Sequence, residues 1–316
     1  MNRFLLALAL VVPAFAADPP QIEISNAATK IKLYVPDAAT GYYRATRFDW
    51  AGAMASVEWG GHNYFGKWFD KYDPSIHDSI TGPVEEFGEL GYKEAAVGES
   101  FVKIGVGALQ KPSDAPYDKF HTYDIADAGR WIVITAPDHV EFRHILTNTN
   151  GYAYEYRKNV YLINNGFALE HTLRNNGTKP IKTDVYDHNF FMLDGKPTGP
   201  DVSIRLPFAP KATADLKGLA EFNDKKITFL KEFGPRDTLL TDITGFALND
   251  FADYEIYIEN KATGAGVRQA SDHGMSKLAL WSIRNTVCPE AYIDVNVEPG
   301  KQMHWIIAYQ FYNVPK

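Results

Sequence analysis

Cysteine is nearly missing: Cys288 is the only one in 316 residues, which excludes an intramolecular disulfide framework and any multi-thiolate metal centre. A cationic surplus is missing too. Thirty-two basic residues stand against 39 acidic ones, a net charge of −7, so the chain has no surplus with which to displace counterions from a phosphate backbone, and no nucleic-acid partner is expected. There is no GxSxG elbow, no Walker loop, no GxGxxG after a strand and no HExxH, which removes several motif-bearing enzyme classes. The nine histidines are scattered without the spacing of a metal site. Neither a metal nor another cofactor is expected.

Long apolar runs are also missing, with one short exception. Arg3 is followed by an apolar stretch from Phe4 to Phe15, closed by Ala14-Phe15-Ala16 in a small-x-small pattern. This run falls short of the roughly twenty residues of a membrane span and reads as a signal peptide over residues 1–16. The expected mature chain, 17–316, is then a single domain, periplasmic or secreted, with no membrane contact after cleavage.

What is abundant is aromatic: 6 Trp, 18 Tyr and 19 Phe. Such residues favour pleated, half-buried surfaces. Period-two alternation recurs, as in Phe167, Leu169 and Leu173, in Ile293, Val295 and Val297, and in Met303, Trp305, Ile307, Tyr309 and Phe311. Turn clusters such as Asn175-Asn176-Gly177 and Glu298-Pro299-Gly300 separate these runs. The pattern predicts an all-β fold, a large antiparallel β-supersandwich with few short helices. Thr213 to Phe222 is the best helical candidate. The remaining chemistry is carboxylate, imidazole and aromatic, which suits a sugar or oligosaccharide: aromatic faces stack on C–H surfaces while Asp, Asn, Arg and His bond hydroxyls.

Two segments carry a resemblance. Thr183 to Gly195, with Asp187-His188-Asn189-Phe190-Phe191 at its centre, resembles the histidine signature of the aldose 1-epimerase (galactose mutarotase-like) family. Val287-Cys288-Pro289-Glu290-Ala291-Tyr292, followed by Val297-Glu298-Pro299-Gly300 and a final aromatic strand, is similar to that family's carboxy-terminal pattern. The resemblance implies a supersandwich, an isomerase that interconverts sugar anomers, His188 as general acid and Glu290 as base. It also implies Asp253, in Asp253-Tyr254-Glu255-Ile256, as a binder of sugar hydroxyls. Acid and base are expected on different sides of the pyranose.

The amino-terminal half lacks the family's Asn-Arg pair and Leu-His-Gly-Gly segment, and Asp187 stands in place of an asparagine. Candidates to complete the site there are Arg47, Glu86, His77 and His121. Each has a plainer reading. Arg44 and Arg47 lie among Tyr43, Phe48 and Trp50, where cation–π packing explains them as well as a substrate carboxylate does. Glu85-Glu86 reads equally as a solvated acidic turn, and Trp59, Trp68 and Trp131 as core. A carbohydrate-binding protein without turnover stays open. So does a polysaccharide lyase or glycoside hydrolase, the latter pairing Glu290 with Glu86 or Asp253.

Overall fold

The computed structural model describes residues 18–315; the expected signal peptide lies outside them. Twenty-three strands make four antiparallel sheets. Among the described residues helix is confined to two single 3-10 turns, Leu193–Gly195 and Phe251–Asp253. The all-β expectation is met. The helical candidate 213–222 is instead a turn leading into the strand Ala220–Asn223, with Lys217 and Gly218 at positive φ where a helix would need them right-handed.

A ten-stranded sheet contains the long strands His139–Thr149, Tyr152–Ile163, Gly166–Asn175 and Gln302–Asn313. It packs on a six-stranded sheet whose order is Lys211–Ala212, Leu239–Thr244, Lys277–Ile283, Thr286–Val297, Ile181–His188, Val84–Phe87. Alternation sends Val185, Leu278, Leu280, Ala291, Ile293 and Val295 inward against Leu169, Trp305, Ile307 and Tyr309. The outer face of the six-stranded sheet is covered as well. Irregular amino-terminal segments pack a second aromatic cluster over it, including Tyr43, Phe48, Trp50, Trp68 and Phe190.

Strand Val84–Phe87 is therefore buried on both faces. Phe87 enters the inter-sheet core and Val84 the outer cluster. Its two carboxylates divide the same way. Glu85 points between the sheets, 2.5 Å from Lys158 Nζ and 2.8 Å from His171 Nε2, all three fully buried. Burial alone would raise the Glu85 pKa, but Lys158 and His171 outweigh it and hold the group near 2.

Asp187, paired with Glu85 across the strands, is also buried rather than solvated. Tyr309 Oη lies 2.6 Å from Asp187 Oδ2 and 2.7 Å from Asn189 Oδ1. The Asn189 amide nitrogen donates to Pro289 O at 2.7 Å, which fixes that orientation. One hydroxyl proton serves only one of two acceptors, so the pair of contacts calls for a proton on Asp187. Burial, reinforced by Glu85, pushes Asp187 up to about 7.

Removing one member of the interior ion pair leaves the other charge buried and unpaired. Lys158→Met is expected to lower stability by about 3–5 kcal/mol, read from urea unfolding midpoints. A loss below about 1 kcal/mol would contradict this account of Glu85.

Candidate active site

The register of the six-stranded sheet builds the site. Ile181–His188 and Thr286–Val297 run antiparallel and last pair at Tyr186 and Tyr292. Two residues further on, His188 and Glu290 come opposite one another, on the outer face. His188 Nε2 is 3.3 Å from Glu290 Oε1, and both side chains are almost wholly buried. The backbone beside them leaves no slack, since a Cβ on Gly82 would sit 2.0 Å from Asn189 O.

His188 lies in an aromatic cage. Its ring stacks on Phe190 at 3.8 Å and meets the edges of Phe48 at 5.5 Å and Trp281 at 5.4 Å. Nδ1 has no hydrogen-bond partner. Burial, with Arg47 and Lys119 nearby, pushes the imidazole well below its ordinary range, so it is neutral at pH 7. Glu290 moves the other way. Burial raises it to about 7, against the opposing pull of Lys119 and Arg47. Below about pH 7 the contact pair thus holds one transferable proton, and that proton rests on Glu290.

The pair opens into a cavity of about 350 Å³, lined also by Arg47, Trp68, Asp78, Lys119, Phe120, Phe190, Leu240 and Trp281. Leu240, 62% exposed, and Phe120, 51% exposed, form an apolar mouth. Arg47 is clamped from every side: Nε donates to Glu86 Oε2 at 2.7 Å, one terminal nitrogen donates to Asp78, and the other lies 3.4 Å from Tyr186 Oη. Its guanidinium also sits 4.4 Å over the Phe48 ring and 4.9 Å over Phe120. Arg47 thus makes the cation–π contacts of its plainer reading and lines the cavity as well.

Glu86 is a buried counter-ion rather than a solvated turn. It accepts from Tyr186 Oη at 2.5 Å as well as from Arg47, and does not line the cavity. His77 stands behind the wall, Nδ1 3.0 Å from Asp78 Oδ2, with its ring edge on Phe120. His121 packs on Tyr123 at 4.6 Å. Neither histidine reaches the cavity. Nor does Asp253, whose carboxylate accepts from Ala247 N at 2.6 Å and closes its own loop.

Of Trp59, Trp68 and Trp131, Trp68 lines the cavity, together with Trp281; Trp131 stacks on His144 at 4.3 Å and Trp59 lines another groove. That groove, about 690 Å³, runs along residues 26–30, 58–63 and 194–195 and holds none of the sequence-predicted site residues. Cys288, fully buried, accepts from Phe190 N at 3.2 Å, and burial pushes its thiol far up.

Asp78, Lys119 and Phe120 escaped the sequence reading. All three sit in irregular stretches, 64–83 and 111–124, where no periodicity marks them. The one available signal was His121, which flags the right loop through the wrong residue.

Comparison with solved structures places this architecture. A putative aldose 1-epimerase from Escherichia coli K12 superposes with a TM-score of 0.59 at 12% identity, over 93% of this chain and 99% of that one. A GalM/aldose epimerase homologue from Caenorhabditis elegans gives 0.59 at 14% identity, over 94% and 99%. A galactose mutarotase related enzyme from Lactobacillus acidophilus gives 0.54 at 13%, over 94% and 100%. The chain has the galactose mutarotase-like fold. No family model and no curated protein matches its sequence. The mutarotase-like fold spans the amino-terminal half as well, where the sequence resemblance fails.

Lys119 is the charge that most strongly holds the Glu290 pKa down. Carboxyl-carbon NMR should find Glu290 titrating near 7, and Lys119→Met should move that midpoint upward. A midpoint near 4.5 in the native protein would remove the tuned pair.

Proposed function

We propose that this chain is an exported aldose 1-epimerase-like enzyme that interconverts sugar anomers through ring opening, with His188 and Glu290 as the proton-transfer pair. The observation that carries the reading is the 3.3 Å contact between them on one wall of an aromatic-lined cavity. Export rests on the Arg3 to Ala16 pattern, with residues 17–316 acting as one domain.

The expectation of groups on different sides of the sugar does not suit a contact pair, and the chemistry does not require it. The anomeric hydroxyl oxygen and the ring oxygen are bonded to the same carbon. Two proton-transfer groups side by side can therefore reach both at once. In this mechanism Glu290 gives its proton to the ring oxygen while neutral His188 takes the anomeric proton through Nε2. The C1–ring-oxygen bond breaks, leaving the open-chain aldehyde. Rotation about C1–C2 presents the other face of the carbonyl, and the proton transfers run in reverse to close the opposite anomer. No net proton is gained or lost. The resting proton on Glu290 reverses the roles that the sequence resemblance implies, since His188 is too deeply caged to start as imidazolium.

A hydrolase reading has less support. Glu86 is consumed by Arg47 and Tyr186, Asp253 lies off the cavity, and Asp78 is held between Arg47 and His77. None is free to act opposite Glu290 across a glycosidic bond.

The working form needs Glu290 protonated and His188 neutral. That form is present below about 7 and is lost as pH rises through it. Anomer exchange measured by NMR should show kcat/KM falling about tenfold per pH unit above that point. Glu290→Gln and His188→Asn should each slow exchange by about 10²–10⁴-fold. Native rates in Glu290→Gln would take Glu290 out of the reaction.

A further inference from the structure

Among the described residues, Lys119 is the cavity-lining cation without a hydrogen-bond partner. Arg47 is saturated by Glu86, Asp78 and Tyr186. Lys119 Nζ reaches only to 3.7 Å from Glu86 Oε2, an oxygen already accepting from both Arg47 and Tyr186, and 36% of its side chain is exposed. Arg47, Lys103 and Lys119 face the carboxylates of Glu86 and Asp78. Lys103 has Glu89 as well as Glu86 for company and does not line the cavity, so the cation left without a close acceptor is Lys119, the one that faces the cavity.

We propose that the sugar this site takes is a hexuronic acid, with its carboxylate bound by Lys119. The inference rests on the anomer-exchange reading and names its substrate class. A carboxylate at C6 is attached to C5, which bears the ring oxygen. A pyranose that places its ring oxygen at the His188–Glu290 pair therefore holds that carboxylate within a few ångströms of the pair, in the neighbourhood of Lys119. A carboxylate there gives Lys119 the close, charge-assisted hydrogen bond that no residue of the chain supplies. A phosphate ester, at about −1.5 to −2, overshoots the single free cation. A neutral hexose leaves Lys119 unanswered. The Phe120 and Leu240 mouth adds apolar surface for the C–H face of the ring.

The test measures anomer exchange by NMR at pH 6 for glucuronate, galacturonate, glucose, galactose and glucose 6-phosphate, with saturation-transfer binding of each. Wild type is compared with Lys119→Met and Lys119→Arg. The uronates should exceed their neutral parents by about tenfold or more in kcat/KM. That ratio should fall about 10- to 100-fold in Lys119→Met, the worth of a charge-assisted hydrogen bond, and return in Lys119→Arg. Equal or better turnover of the neutral sugars, preference for the phosphate ester, or an unchanged ratio in Lys119→Met overturns the inference. The two readings separate cleanly. Turnover of neutral sugars without uronate binding sinks this inference alone. Uronate binding that depends on Lys119, with no exchange of any sugar, sinks the anomer-exchange reading and leaves Lys119 as a carboxylate site.

Discussion

Two successive carboxylates, Glu85 and Glu86, are buried on opposite faces of one four-residue strand, and both sides of the molecule are arranged around that constraint. A carboxylate removed from water is tolerated only with cations and hydrogen-bond donors at close range. On the inner face Lys158 and His171 come from the ten-stranded sheet to meet Glu85, so the two sheets are joined by charge as well as by apolar contact. On the outer face Arg47, Lys103, Lys119 and Tyr186 converge on Glu86. Arg47 and Lys119 belong to stretches without regular structure. Glu86 is what gives those stretches a fixed place, and the amino-terminal wall of the cavity follows from it.

The same strand shows why part of the molecule was legible in the sequence and part was not. Strands such as Gly166–Asn175 and Gln302–Asn313 have one face in the core and one wetter face, so their alternation is visible. The strands of His188 and Glu290 alternate only at their far ends and are buried on both faces around the pair itself. These two residues were legible through the family resemblance of their flanking segments, and the register that brings them together extends from Tyr186 and Tyr292. Val84–Phe87 has no wet face and only four residues, two of them acidic, which looks like a turn. Asp78, Lys119 and Phe120 lie in loops whose positions depend on long-range ion pairs and aromatic packing. No local pattern encodes such contacts. Asp253 failed for a related reason: a short motif with a carboxylate was matched, but the carboxylate is spent on the backbone of its own loop.

Burial also explains the proton inventory of the site. One low-dielectric environment pushes a carboxylic acid up and an imidazole down, because it penalises the charged form of each. Applied to two groups in contact, it leaves a neutral acid beside a neutral base. Neither is at its ordinary strength, and the resting proton is on the carboxyl group. Arg47 and Lys119 trim the effect on Glu290 and deepen it on His188. A cavity open enough to solvate the pair would separate their pKa values in the usual order and hold the proton on the histidine instead.

Asp187 belongs to this logic although it faces away from the cavity. The family that the sequence resembles has asparagine there, and a buried ionised aspartate beside Glu85 would be a poor replacement. Protonated, however, an aspartic acid donates one hydrogen bond and accepts another, as a side-chain amide does. With burial and Glu85 holding its pKa near 7, Asp187 can give its proton to Tyr309 Oη, and Tyr309 passes its own to Asn189 Oδ1. Asn189 in turn is tied to Gln269 and to the carbonyl of Pro289, the residue before Glu290. The chain of donors runs from under His188 to the backbone under Glu290. It adds side-chain ties to the backbone ladder that pairs the two strands, and the carboxyl group can take part as a donor below about pH 7 because burial and Glu85 raise its pKa.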